Sequence, residues 1–149
     1  MSKVILLILG FSGGVFLAVQ GGLNARLGIM LKSPLLASLI ATFSSMVFAM
    51  IFVLINARTL PTKIQLKEIP VYLWFAGGLF SVMGISLYYY TIPKLGLSTM
   101  ISIGLFGQLL FSVIVGNYGW LDLPVEPINT KRVIGTIAMA TGILLINLK

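Results

Sequence analysis

Between Val4 and Leu23 no residue carries a charge, and an apolar stretch of similar length returns four more times along the chain. Crossing about 30 Å of hydrocarbon takes about 20 helical residues at about 1.5 Å each, so runs of this length are what a bilayer demands. Five spans are expected, over residues 4–23, 34–55, 71–92, 98–115 and 131–148. The connections are too short to hold a water-soluble domain. Residues 1–149 therefore read as one transmembrane domain, an all-α polytopic membrane protein. Composition agrees: 58% of the residues are hydrophobic and 9% are charged, whereas a soluble domain carries about 25% charged residues.

The punctuation fits these spans. Ser33 is a natural N-cap, and Pro34 follows at the first helical position, where a missing N–H costs nothing. Pro70 and Pro93 bracket the third span, and Thr130 is the expected cap of the fifth. All six prolines fall at span edges or in connections. Met1-Ser2-Lys3 before an apolar run also resembles a signal peptide, but no A-x-A cleavage pattern follows and the run is long enough to span.

Charge is sparse and orders the topology. The net charge is +7, yet the ten Lys and Arg are scattered singly or in pairs between apolar runs. That pattern suits membrane flanks and anionic lipid head groups rather than nucleic acid. With five spans, Lys3, Arg58, Lys63, Lys67, Lys131 and Arg132 lie on the side of the N-terminus, and Arg26, Lys32, Lys94 and Lys149 on the other. Six against four is a weak bias toward a cytoplasmic N-terminus and leaves room for both orientations. Cys and His are absent, which excludes disulfides, thiol nucleophiles, His-based triads and His/Cys metal sites. No metal and no cofactor is expected. The acids are Glu68, Asp122 and Glu126, all in connections. Asp122 and Glu126, with Tyr118 and Trp120, read as a solvated, interface-anchoring loop, so an enzyme is not expected.

Polarity inside the spans is confined to amides, hydroxyls and small residues. Gly10, Gly14, Gly21 and Asn24 share one face of the first span, where small residues let a second helix approach closely. The paired glycines of Gln20-Gly21-Gly22-Leu23-Asn24 read as a loosening of that helix, which leaves its two amides as candidate substrate ligands. Arg26, just beyond, is either a snorkelling flank or a contact for an anion. Trp74, Gly77, Gly78 and Tyr88 lie on one face of the third span, and Tyr88-Tyr89-Tyr90 otherwise reads as interfacial belt. Gln108 is the most central strong polar group, either glue between helices or a substrate contact. Gly135 and Gly142 mark a packing seam on the fifth span.

In order along the chain stand Gln20-Gly-Gly-Leu-Asn24-Ala-Arg26-Leu-Gly28, Ser33-Pro34, Trp74 with Gly77-Gly78, Pro93-Lys94-Leu95-Gly96, Gly107-Gln108-Leu109, and Arg132-x-x-Gly135 with Gly142. This series resembles the YdcZ-like family, a five-span branch of the drug/metabolite transporter superfamily. One departure is Asn117-Tyr118-Gly119, where the family usually shows an acid before the aromatic-Gly pair. The resemblance implies half of a ten-helix inverted-repeat transporter in the inner membrane. It implies pairing with a second copy in opposite orientation, and a small metabolite or drug-like solute as substrate. Gln20, Asn24, Trp74, Tyr88 and Gln108 would then line the substrate path. The small multidrug-resistance exporters resemble this chain less, because their membrane-embedded Glu has no counterpart here. The alternative is a non-transporting assembly or regulatory subunit.

Overall fold

The computed structural model describes residues 2–56 and 60–148. Arg58 and Lys149 of the charge count lie outside the described residues, as does Met1. Every regular element among the described residues is helical: α1 (Lys3–Met30), α2 (Pro34–Asn56), α3 (Lys63–Glu68), α4 (Val71–Leu95), α5 (Leu97–Tyr118) and α6 (Thr130–Asn147), with one 3-10 turn at Trp120–Asp122. Two compact units divide the chain, Met1–Lys94 and Leu95–Lys149.

Four helices, α1, α2, α4 and α5, are long and apolar enough to cross a membrane. The fifth expected span, α6, falls short of them. Lys131, Arg132 and Asn147 sit at its ends, so its apolar stretch Val133–Ile146 covers only about 21 Å at about 1.5 Å per residue.

Local chemistry explains the helix ends. Ser2 Oγ accepts from the Ile5 N–H at 3.4 Å and starts α1. Ser33 Oγ accepts from the Leu36 N–H at 3.2 Å, which realises the cap expected before Pro34. The cap of α6 is Asn129 rather than Thr130. Its Oδ1 accepts from the Arg132 N–H at 3.0 Å, as suits Asn, which outranks Thr at this position. The basic connection after α2 contains α3, whose start is a capping box between Thr62 and Gln65.

Two helices outrun their expected bounds. α1 continues without interruption through Gly21-Gly22 to Met30, so the expected loosening there does not occur. Two adjacent glycines in a long apolar helix cost helix propensity but leave its hydrogen bonds intact. At about 1.5 Å per residue α1 spans about 42 Å, more than the hydrocarbon thickness, which places Arg26 near one end of a tilted or protruding helix. α4 includes Pro93 in its last turn. There the proline removes only the donor that the Tyr89 carbonyl would otherwise accept from, a small cost so near the helix end.

The buried core of the first unit is small: Ala37, Ala41 and Tyr89, with Leu27, Ile85 and Tyr88 packed against it. α1 and α2 meet at Gly28, where a Cβ would lie in ordinary contact, 3.5 Å from Ala37 Cβ and 3.6 Å from Pro34 Cα. Most large apolar side chains point outward, Phe11 and Leu54 being 76% exposed and Phe80 70%. Such a surface suits lipid and other helices rather than water.

Candidate functional site

Asn24 forms the best-defined polar contact within the spans. Its Nδ2 donates to Tyr89 Oη at 3.0 Å, which joins α1 to α4. About one turn along, Gly21 is buried, and a Cβ there would stand in ordinary contact with Ile92 Cδ1 at 3.5 Å, so the two helices meet at this level through the Ile92 side chain. Gln20 and Asn24 are both half-buried on α1. Tyr88 packs against the core that contains Tyr89. The structure thus gathers Asn24, Tyr88 and Tyr89. The membrane-belt reading of the three tyrosines missed Tyr89, although its place four residues after Ile85 and three before Ile92 puts it on the inward face of α4.

The remaining candidates are spread out. Trp74 is 54% exposed and lies about 21 Å along the α4 axis from Tyr88, at about 1.5 Å per residue. Arg26 is exposed on α1. Gln108 is exposed on α5, in the second unit. The candidate packing glycines also face outward: a Cβ on Gly10, Gly14, Gly77, Gly78, Gly135 or Gly142 would meet no neighbouring atom within 4 Å.

The second unit places its polar chemistry at the α5–α6 connection. Glu126 N–H donates to the Gly116 carbonyl at 2.8 Å. Ile128 N–H donates to Asn117 Oδ1 at 3.0 Å. These bonds fold the connection back onto the end of α5. Asn117 thereby shows what its position does in this chain: it supplies an acceptor oxygen to a backbone N–H, for which a neutral amide suffices. The turn itself uses Gly119 in the left-handed region at φ 63, followed by Leu121 and Asp122 at φ 64 and 55. Tyr118 and Trp120 stack, ring centroids 5.5 Å apart.

Glu126 does not stand alone as a solvated acid. Arg132 Nη2 pairs with its carboxylate, and Arg132 Nη1 donates to its backbone carbonyl at 2.7 Å. Leu109, Ser112, Val113, Gly135 and Thr136 complete an open hollow of about 400 Å³ beside this pair. Sequence spacing concealed the pair, because its members flank a non-helical turn where i, i+4 reasoning does not apply. Among the described residues no cluster of three metal-ligating side chains occurs.

Apolar helices of this length, carrying single amides and hydroxyls along their described residues and charge only toward their ends, define a multi-pass membrane protein. Residues 5–145 match the family described as "Putative inner membrane exporter, YdcZ". The chain belongs to the YdcZ family, a group of inner-membrane transporters rather than enzymes. No curated protein and no solved structure matches it.

Proposed function

We propose that this chain is a half-size transporter that works as an antiparallel homodimer and moves a small metabolite or drug-like solute by alternating access. The family match over residues 5–145 carries the transport reading. The balance of six Lys and Arg against four, on the five-span topology, carries the opposed orientations. On this reading α6 is the fifth span, with Lys131 and Arg132 snorkelling to the boundary. Larger transporters place their sites near the midplane between two inverted repeats, and a second, inverted copy supplies the missing repeat. The outward glycine faces of α1, α4 and α6 are where such a copy packs closely.

Gln20, Asn24, Trp74, Tyr88 and Gln108 line the path in this reading, with Arg26 available to an anionic group. Amides orient the solute by hydrogen bonds, and aromatic rings supply stacking or cation–π contact. No acid lies in any of the five spans, so proton exchange at a membrane-buried carboxylate is not the coupling mechanism proposed.

One observation favours the competing reading of a non-transporting assembly subunit: the Asn24 amide is engaged by Tyr89 of the same chain. Gln108→Leu separates the two. A thermal-shift screen against metabolites, amines and organic anions first supplies a stabilising ligand. For a site residue, Leu packs well in the bilayer, so the dimer fraction in detergent is unchanged while the ligand-induced melting shift disappears. For interhelical glue, association weakens by about 0.6 kcal/mol, at most about 2 kcal/mol, with the ligand shift intact. A variant that dimerises and binds ligand like the parent removes Gln108 from the site.

A further inference from the structure

The α5–α6 connection holds a feature that the transport reading does not use. The two bonds that Arg132 makes to Glu126 are not equivalent. One goes to the backbone carbonyl at 2.7 Å, the other to the carboxylate. The carbonyl cannot move far, since the Glu126 N–H is held by the Gly116 carbonyl at 2.8 Å and the Ile128 N–H, two residues on, by Asn117 Oδ1 at 3.0 Å. The carboxylate is free to swing: the Glu126 side chain is 59% exposed, against 33% for Arg132. An exposed ion pair is weakly held. A guanidinium that has lost the carboxylate therefore stays hooked to a fixed backbone oxygen, with the rest of its donor fork open.

That fork faces space. Beside the pair lies the hollow of about 400 Å³, apolar at Leu109 and Val113 and widened by Gly135. The α5 helix brings no charged residue to it, and the neighbouring Lys131 adds a second positive charge at the start of α6. We infer that this hollow is a binding site for an oxyanion attached to a short apolar body. The oxyanion replaces the Glu126 carboxylate on Arg132, and the body lies against Leu109 and Val113. Arginine suits the exchange because its planar fork takes two oxygens of a carboxylate or phosphate at once. Glu126 acts as a built-in competitor that occupies the fork when the site is empty of ligand. The oxyanion has two natural sources, a soluble organic acid and the head group of an anionic phospholipid. The inference shares Gly135 with the α6 face assigned above to the second copy but uses none of the proposed substrate path, and comparing the dimer fraction of each variant in detergent with its hexanoate binding keeps the two readings distinguishable.

The test is calorimetric titration of the full-length protein, purified in a neutral maltoside detergent, with hexanoate as probe. Removing the competitor by Glu126→Gln should tighten hexanoate binding about two- to fivefold. Arg132→Gln should weaken it more than about tenfold, the effect of losing a charge-assisted hydrogen bond. Gly135→Val fills the hollow without touching either charge, and the absence of neighbours within 4 Å of its Cβ means that it fits. It should also weaken binding, and it keeps the test open if Arg132→Gln does not fold. A parallel arm places the protein in nanodiscs of phosphatidylcholine with and without phosphatidylglycerol and reads the melting temperature of the same variants. A Glu126→Gln-enhanced, Gly135→Val-sensitive shift with phosphatidylglycerol, without hexanoate binding, assigns the site to lipid. Hexanoate and phosphatidylglycerol responses that are the same in all variants, or weaker binding in Glu126→Gln, would overturn the inference.

Discussion

If the chain pairs antiparallel as proposed, two lysines added beside Lys63 will drive nearly every copy into one orientation and reduce that dimer to background. On the five-span topology they turn a count of six against four into eight against four, and Lys/Arg excess sets which side stays cytoplasmic. Copies that all point the same way cannot pair antiparallel. Two lysines added beside Lys94 make the sides equal at six each, and that variant should keep its dimer. Replacing Lys63 and Lys67 by Gln while adding four lysines near Lys94 reverses the bias to four against eight and locks the opposite orientation. Each locked variant alone should run as a monomer in detergent, and co-expression of the two should restore the dimer. A locked variant that dimerises fully by itself would contradict antiparallel pairing.

Tyr89→Ala should be the most damaging single substitution in the first unit. Tyr89 is 3% exposed and sits with Ala37 and Ala41 at the centre of the small core. Emptying an aromatic site of this kind costs about 3–5 kcal/mol, and neighbours as small as Ala37 and Ala41 cannot expand to refill it. Tyr89→Phe keeps the ring and removes only the hydroxyl that accepts from Asn24. A hydrogen bond between membrane helices averages about 0.6 kcal/mol, so the Phe variant should lose that much, and at most about 2 kcal/mol. Unfolding in graded SDS, followed by circular dichroism, measures both. Equal losses in Phe and Ala would mean that the Asn24 bond, not packing, holds α1 to α4.

The helices were legible because a bilayer leaves few ways to use an apolar run, and Ser33-Pro34 announced a start that the Leu36 N–H completes. Their ends were less so. Arg26 marked where the sequence turns polar, but one arginine near a helix end can snorkel, and α1 runs on to Met30. Asn129 and Thr130 are both capping residues, and spacing alone does not choose between adjacent ones. The Thr62–Gln65 capping box is written in the sequence, but the helix it opens has only six residues, too few for an apolar periodicity to mark it. The candidate site was legible only in part. Asn24 was recognisable as an inward amide, whereas its partner lies 65 residues away in sequence, within a run of three tyrosines that fits the interfacial belt equally well. The Glu126–Arg132 pair depends on how an irregular turn with left-handed Leu121 and Asp122 folds back on α5, which no periodicity encodes.

The antiparallel dimer is tested most directly by labelling in intact cells. The chain has no cysteine, so Ser2→Cys and a cysteine appended after Lys149 each give a unique thiol. A membrane-impermeant maleimide applied from outside reads the exposed fraction, and permeabilised cells give the total. Dual topology predicts that each thiol is labelled from outside in a substantial fraction of copies and protected in the rest. Full labelling of one terminus and full protection of the other is the expected result for odd spans in one fixed orientation, and would contradict the antiparallel homodimer.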